Sequence, residues 1–77
     1  MTLSAINEGE ILAEERVHTL TGYRYAVWLL SDAEGYHVLR VNLSTGTDEI
    51  EETWNYYTLH EARNGVDEMT EHIREYF

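Results

Sequence analysis

Residues 23–43, YRYAVWLLSDAEGYHVLRVNL, hold two runs rich in aromatic and branched side chains, joined by DAEG. Such runs favour strands because bulky side chains fit a pleated, half-buried surface. A four-residue connection with glycine last returns the second run antiparallel to the first. A hairpin therefore sits in the middle of the chain, with strands expected over 23–31 and 36–43. Whatever flanks it must bury its apolar sides.

Before the hairpin, Ile11, Ala13 and Val17 alternate with Glu14, Arg16 and His18. That alternation reads as a half-buried strand over 10–19, with Glu15 as its one interruption. LTGY at 20–23 supplies the turn between the two, with Gly22 free to take positive φ. After the hairpin, STGT at 44–47 turns the chain into a further strand over 49–57. Strict alternation there points Ile50, Trp54 and Tyr56 one way and Glu49, Glu51 and Thr53 the other. Its acidic first half reads as a wet edge that discourages foreign strand pairing.

The last segment opens on Thr58-Leu59-His60-Glu61, a capping box. Beyond it Leu59, Ala62, Val66, Met69, Ile73 and Tyr76 recur at alternating spacings of three and four. At about 100° per residue they share one arc, so the segment is an amphipathic helix. Gly65 interrupts it at a cost of about 1 kcal/mol against alanine, a cost that close packing on the sheet would offset. The fold class is α+β: an antiparallel sheet of three to four strands with one C-terminal helix packed on one face, β-β-β-β-α. A single domain over 1–77 is expected, with residues 1–9 as a loose N-terminus.

Pairing Ser31 with Tyr36 sorts the hairpin into two sides. Ala26, Trp28 and Leu30 share one with His37, Leu39, Val41 and Leu43, nearly all apolar, which suits the helix. The other carries Tyr23, Tyr25, Val27, Leu29, Tyr36, Val38 and Arg40. One helix covers one side, so Tyr23, Tyr25, Tyr36 and Arg40 are expected to form a homodimer or partner surface. Alternatively the N-terminal strand, or a bent sheet, folds over them.

Seventy-seven residues make a small core, and without cysteine there is no disulfide staple or cysteine-based metal or redox site. Fifteen acidic residues against five arginines and no lysine leave a formal net charge of −10. Such a chain repels nucleic acid and anionic membranes and attracts basic proteins. Plain solubility or a salt-loving source accounts for the same excess. MTLSAINEGEIL lacks the basic start and long apolar stretch of a signal peptide, so a cytoplasmic location is expected.

Chemistry-bearing patterns are sparse. HEARN at 60–64 has asparagine where a zinc-protease helix needs its second histidine. Glu68, His72 and Glu75 read as a solvated ion-pair group sooner than a metal site. His37, facing the apolar side near Leu30, reads as a hydrogen-bonded structural histidine. Serines lie in the terminus or in turns, and no glycine-rich phosphate loop is present. No catalytic residue, metal or cofactor is expected; the chain reads as non-enzymatic.

The acids are arranged. Glu61, Glu68 and Glu75 repeat every seven residues with Asp67 and Glu71 beside them, all away from the apolar arc. Asp48, Glu49, Glu51 and Glu52 form a second patch against Trp54, Tyr56 and Tyr57, a combination of steering charge and contact area. Size, acidity, absent cysteine and element order together resemble the small inhibitors encoded by bacteriophages, especially anti-CRISPR proteins and DNA mimics. The resemblance implies a protein acting in the bacterial host cell, seated in the basic nucleic-acid channel of a defence complex. The strand order ending in TLHEA is also similar to the small DNA-binding domains of phage integrases. Those domains carry basic sheets, whereas this one offers Arg24 and Arg40 among tyrosines, so no direct nucleic-acid binding is expected. Two functions stand at this stage: an acidic protein-binding inhibitor using the helix and 48–52, and a small homodimeric structural or regulatory module using the tyrosine side.

Overall fold

The computed structural model describes residues 10–77; the expectation of a loose terminus over 1–9 lies outside them. Four strands, β1 (Glu10–His18), β2 (Arg24–Asp32), β3 (Gly35–Asn42) and β4 (Glu49–Tyr56), precede one helix, α1 (Leu59–Tyr76). The strands form one antiparallel sheet in the order β1-β2-β3-β4, and the helix packs across it. Among the described residues no helix is long and apolar enough to cross a membrane.

The hairpin pairs Ser31 with Tyr36, the register the two apolar runs demand, but its connection is tighter than DAEG suggests. Asp32 and Gly35 already pair, so only Ala33 and Glu34 turn. The Asp32 carboxylate accepts the Glu34 amide at 2.8 Å and holds the turn from within. Gly35 returns the chain at φ +136°, and a Cβ there would meet the Tyr56 carbonyl oxygen at 2.7 Å.

The helix covers the side of the sheet opposite to the one expected. Tyr25, Val27, Leu29 and Val38 form one core with Val17, Ala62, Val66, Met69 and Ile73, and Tyr36, Trp54, Tyr56, Leu59 and Phe77 pack against it. The reason lies in the outer strands. Toward the tyrosine side β1 contributes Ala13, Glu15 and Val17, and β4 contributes Trp54 and Tyr56. Toward the other side β1 contributes Ile11, Glu14 and Arg16, and β4 contributes Ile50, Thr53 and Asn55. A helix with its side chains is about 10 Å wide and here touches all four strands. It therefore takes the side to which the outer strands bring Val17, Trp54 and Tyr56, a contribution the inner hairpin alone does not show.

On the reverse side Ala26, Leu30, Leu39 and Val41 make a second buried cluster, with Trp28, Leu43 and Ile50 packed against it. Its membership exposes an irregularity in β4. Arg40 pairs with Glu52 but Val41 pairs with Ile50, so Glu51 is an extra residue. This bulge reverses the alternation: Ile50 joins the reverse cluster, while Trp54 and Tyr56 face the helix. A matching shift at Leu12 turns Ile11 toward Leu30 and Ala13 toward Leu29. Both bulges lie in edge strands, where they also hinder pairing with another chain.

The helix starts where the capping box places it. Thr58 Oγ1 accepts the Glu61 amide at 3.2 Å and donates to the Glu61 carboxylate at 3.0 Å, so the carboxylate meets the hydroxyl and not the backbone. At the other end the apolar stripe departs from its spacing. Tyr76 is 71% exposed, and Phe77, four residues after Ile73, takes the inward place. The Phe77 amide continues the helical bond to the Ile73 carbonyl at 3.0 Å. Its own carbonyl accepts Thr21 Oγ1 at 2.7 Å from the β1–β2 turn.

At Gly65 the helix meets the side chain of Tyr56 on β4. A Cβ on it would lie 2.6 Å from Cζ of the Tyr56 ring. Gly65→Ala should therefore destabilise the fold despite alanine's helix propensity, because overpacking costs about 1–3 kcal/mol against a gain of about 1. In a Tyr56→Leu background the same change should become neutral or stabilising, a sign reversal that urea denaturation of the four variants would show.

Candidate protein-binding surface

The outer face of α1 is built by subtraction. With Ala62, Val66, Met69 and Ile73 held against the sheet, Glu61, Asp67, Glu68, Glu71 and Glu75 are left exposed. Asp67, Glu68, Glu71 and Glu75 line a shallow depression together with His72 and Tyr76. The His72 and Tyr76 rings lie 4.7 Å apart, tilted by 44°. Among the described residues, none of these four carboxylates has a cationic partner within ion-pair distance. Glu61 is outside the depression, engaged with Thr58. The sequence spacing located the acids; it placed Tyr76 in the core and so missed the aromatic wall beside them.

The second acidic patch does not join the first. Asp48, Glu49 and Glu52 are exposed on the β3–β4 loop and β4, and none of them lines the helix depression. Glu51 is occupied within the fold. The bulge turns it toward Arg40, whose Nε donates to it at 3.3 Å, and toward Asn42, whose Nδ2 donates at 3.0 Å. The Arg40 guanidinium in turn lies 4.6 Å from the centre of the Phe77 ring, which packs at 5.3 Å on Tyr25. Burial, and next the neighbouring Glu51 charge, hold the Tyr25 hydroxyl above its ordinary pKa, while Arg40 opposes them.

This arrangement corrects the expected dimer surface. Tyr25 is 5% exposed, and Tyr36 packs against the helix core. Arg40 lies under Phe77 with its side chain 14% exposed. Tyr23, at 52%, is the one member of the set left open. The tyrosine side is the one the helix covers, with Tyr25 buried and Tyr36 and Arg40 half-buried. On the helix, the hydroxyl end of Tyr56 lies against Gly65. Burial raises its pKa first, and the Glu68 and Glu61 charges add to the rise.

One group not anticipated as a cluster lies at the hairpin end. His37 stands between Asp32 on β2 and Asn55 on β4, with Nε2 2.9 Å from Asp32 Oδ1 and Nδ1 2.6 Å from Asn55 Oδ1. Its signal was available: pairing Leu30 with His37 makes Asp32 a diagonal neighbour on the same side. Glu34, His37, Asn55, Tyr56 and Tyr57 line a cleft there. Among the described residues no three acidic or histidine side chains converge closely enough to hold a metal ion.

Comparison with protein families, curated proteins and solved structures finds no match.

Because Tyr25 belongs to the core, Tyr25→Ala should cost the subunit about 3–5 kcal/mol, the range for deleting a buried aromatic ring. Chemical denaturation at two protein concentrations should give the same loss at both, whereas an interface residue would give a concentration-dependent one.

Proposed function

We propose that the chain is a non-enzymatic protein-binding protein whose helix back engages a basic surface on another protein. The observation that carries this reading is the grouping of Asp67, Glu68, Glu71 and Glu75 in one depression, none of them within ion-pair distance of a cation among the described residues. Neighbouring like charges about 6 Å apart repel by on the order of 0.7 kcal/mol in water, and a basic partner relieves that repulsion. Tyr76 and His72 add contact area beside the charges. The net charge of −10 extends the attraction beyond contact and speeds encounter with a basic partner.

The finer form of the proposal is an inhibitor of the phage type. One helical turn rises about 5.4 Å, so carboxylates along α1 repeat on a scale comparable with the phosphates of a nucleic-acid strand. A rigid acidic helix presented in that way can occupy a channel built for nucleic acid. The packing of α1 on all four strands supplies the rigidity.

The test is retention of basic proteins from bacterial lysate on the immobilised chain at low and high salt. Binding should weaken steeply with salt and be lost in the Glu68→Lys, Glu71→Lys double variant. Both positions are exposed, so the melting temperature should stay nearly unchanged. Retention that persists through high salt and both reversals would remove the proposal.

A further inference from the structure

We propose that His37 is a proton-operated clasp that, as an imidazolium, fastens the β2–β3 hairpin to the edge strand β4. The inference is independent of the protein-binding reading, since it uses none of the helix carboxylates. Its ground is the geometry of the ring. Nε2 lies 2.9 Å from Asp32 Oδ1 and Nδ1 lies 2.6 Å from Asn55 Oδ1. A carboxylate oxygen and an amide oxygen both accept and neither donates, so only a ring bearing two N–H groups satisfies both. A neutral ring keeps one.

The charged groups facing the ring all favour that form. Asp32 comes from the end of β2 and Glu34 from the turn, while β4 presents the neutral Asn55. Burial alone would lower the pKa of His37; the bonds to Asp32 and Asn55, with the Asp32 and Glu34 charges, outweigh it and raise it. Asp32 is held below its usual value of 3.8, first by the bond from His37 and then by the Glu34 amide.

Loss of the proton has a defined structural consequence. The bond to Asp32 is charge-assisted and survives as Nε2–H, so the bare lone pair falls on Nδ1, against the Asn55 oxygen. Asn55 must then turn its amide so that its NH2 donates to the ring, or let go. Either response changes what β4 presents to the cleft lined by Glu34, Tyr56 and Tyr57. Asn55 lies only three residues before Thr58, the cap of α1, so the same segment leads into the helix start.

The sign of the pH dependence follows. A raised histidine pKa contributes stability that is complete below the unfolded value of about 6.5 and is lost as pH rises through the folded one. The depressed Asp32 carboxyl contributes stability lost as pH falls through its folded value. The clasp is therefore closed between those limits and opens on the alkaline side through His37.

Nuclear magnetic resonance titration of the histidine rings in the full chain tests this. The His37 midpoint should lie above about 6.5, with both ring nitrogens protonated below it and the Nε2–H tautomer above it. Asp32→Asn keeps a side chain able to accept the Glu34 amide, so it should fold, and it should lower the midpoint. Asn55→Asp should raise it further. Amide exchange at Asn55, taken relative to its intrinsic base-catalysed rate, should quicken across the His37 midpoint in the unaltered chain. A His37 midpoint at or below the ordinary value, or one indifferent to both substitutions, would overturn the inference.

Discussion

Everything in this structure depends on the fit between one apolar stripe on α1 and the sheet side to which all four strands bring apolar side chains. Ala62, Val66, Met69 and Ile73 have nowhere else to go, and Val17, Val27, Leu29 and Val38 are the surface that receives them. Burial of each large aliphatic side chain in that layer is worth about 1.5–3 kcal/mol. With no disulfide to assist, a chain this small relies on it. Gly65 belongs to the same constraint: the Tyr56 ring occupies the space a side chain would fill, so helix and β4 meet without a gap.

Commitment of the helix to that side determines what the rest of the molecule shows. Tyr25, Tyr36 and Arg40, which look like interface material in the hairpin alone, come to lie on the helix side, while Tyr23 stays open. Phe77 and Glu51 complete the setting of Arg40, one by stacking and one by charge. The reverse side keeps a cluster of its own around Ala26, Leu39 and Val41, edged by Trp28, whose indole donates to Glu14 at 2.7 Å. The acids of α1 are left outermost, not by a separate design of the helix but because the stripe opposite them is occupied. A surface of this kind is rigid because it is the back of the main core layer.

Much of the architecture was legible in the sequence. The four strands, the β2–β3 register, the Thr58 cap and the helix all follow from local pattern, since alternation, turn residues and helical spacing act over a few residues each. The acidic positions of α1 were legible for the same reason, because a helix with a known buried arc exposes its complement. The candidate site was legible only in part. Tyr76 follows the spacing of the stripe yet lines the depression, since Phe77 beyond it fills the inward place. Glu51 reads as one more surface acid and is instead the partner of Arg40 and Asn42.

The sequence by itself determined which segments are strands and helix, where they turn, and that the helix is acidic on one face and apolar on the other. Only the tertiary structure decided which side of the sheet the helix covers, because that choice compares all four strands at once. Two single-residue bulges, at Leu12 and Glu51, change which side chains the outer strands contribute to each side. A bulge leaves hydrophobicity untouched while reversing every side chain beyond it, so periodicity passes over it. Packing registers it, since each reversed side chain must find a place on one side or the other.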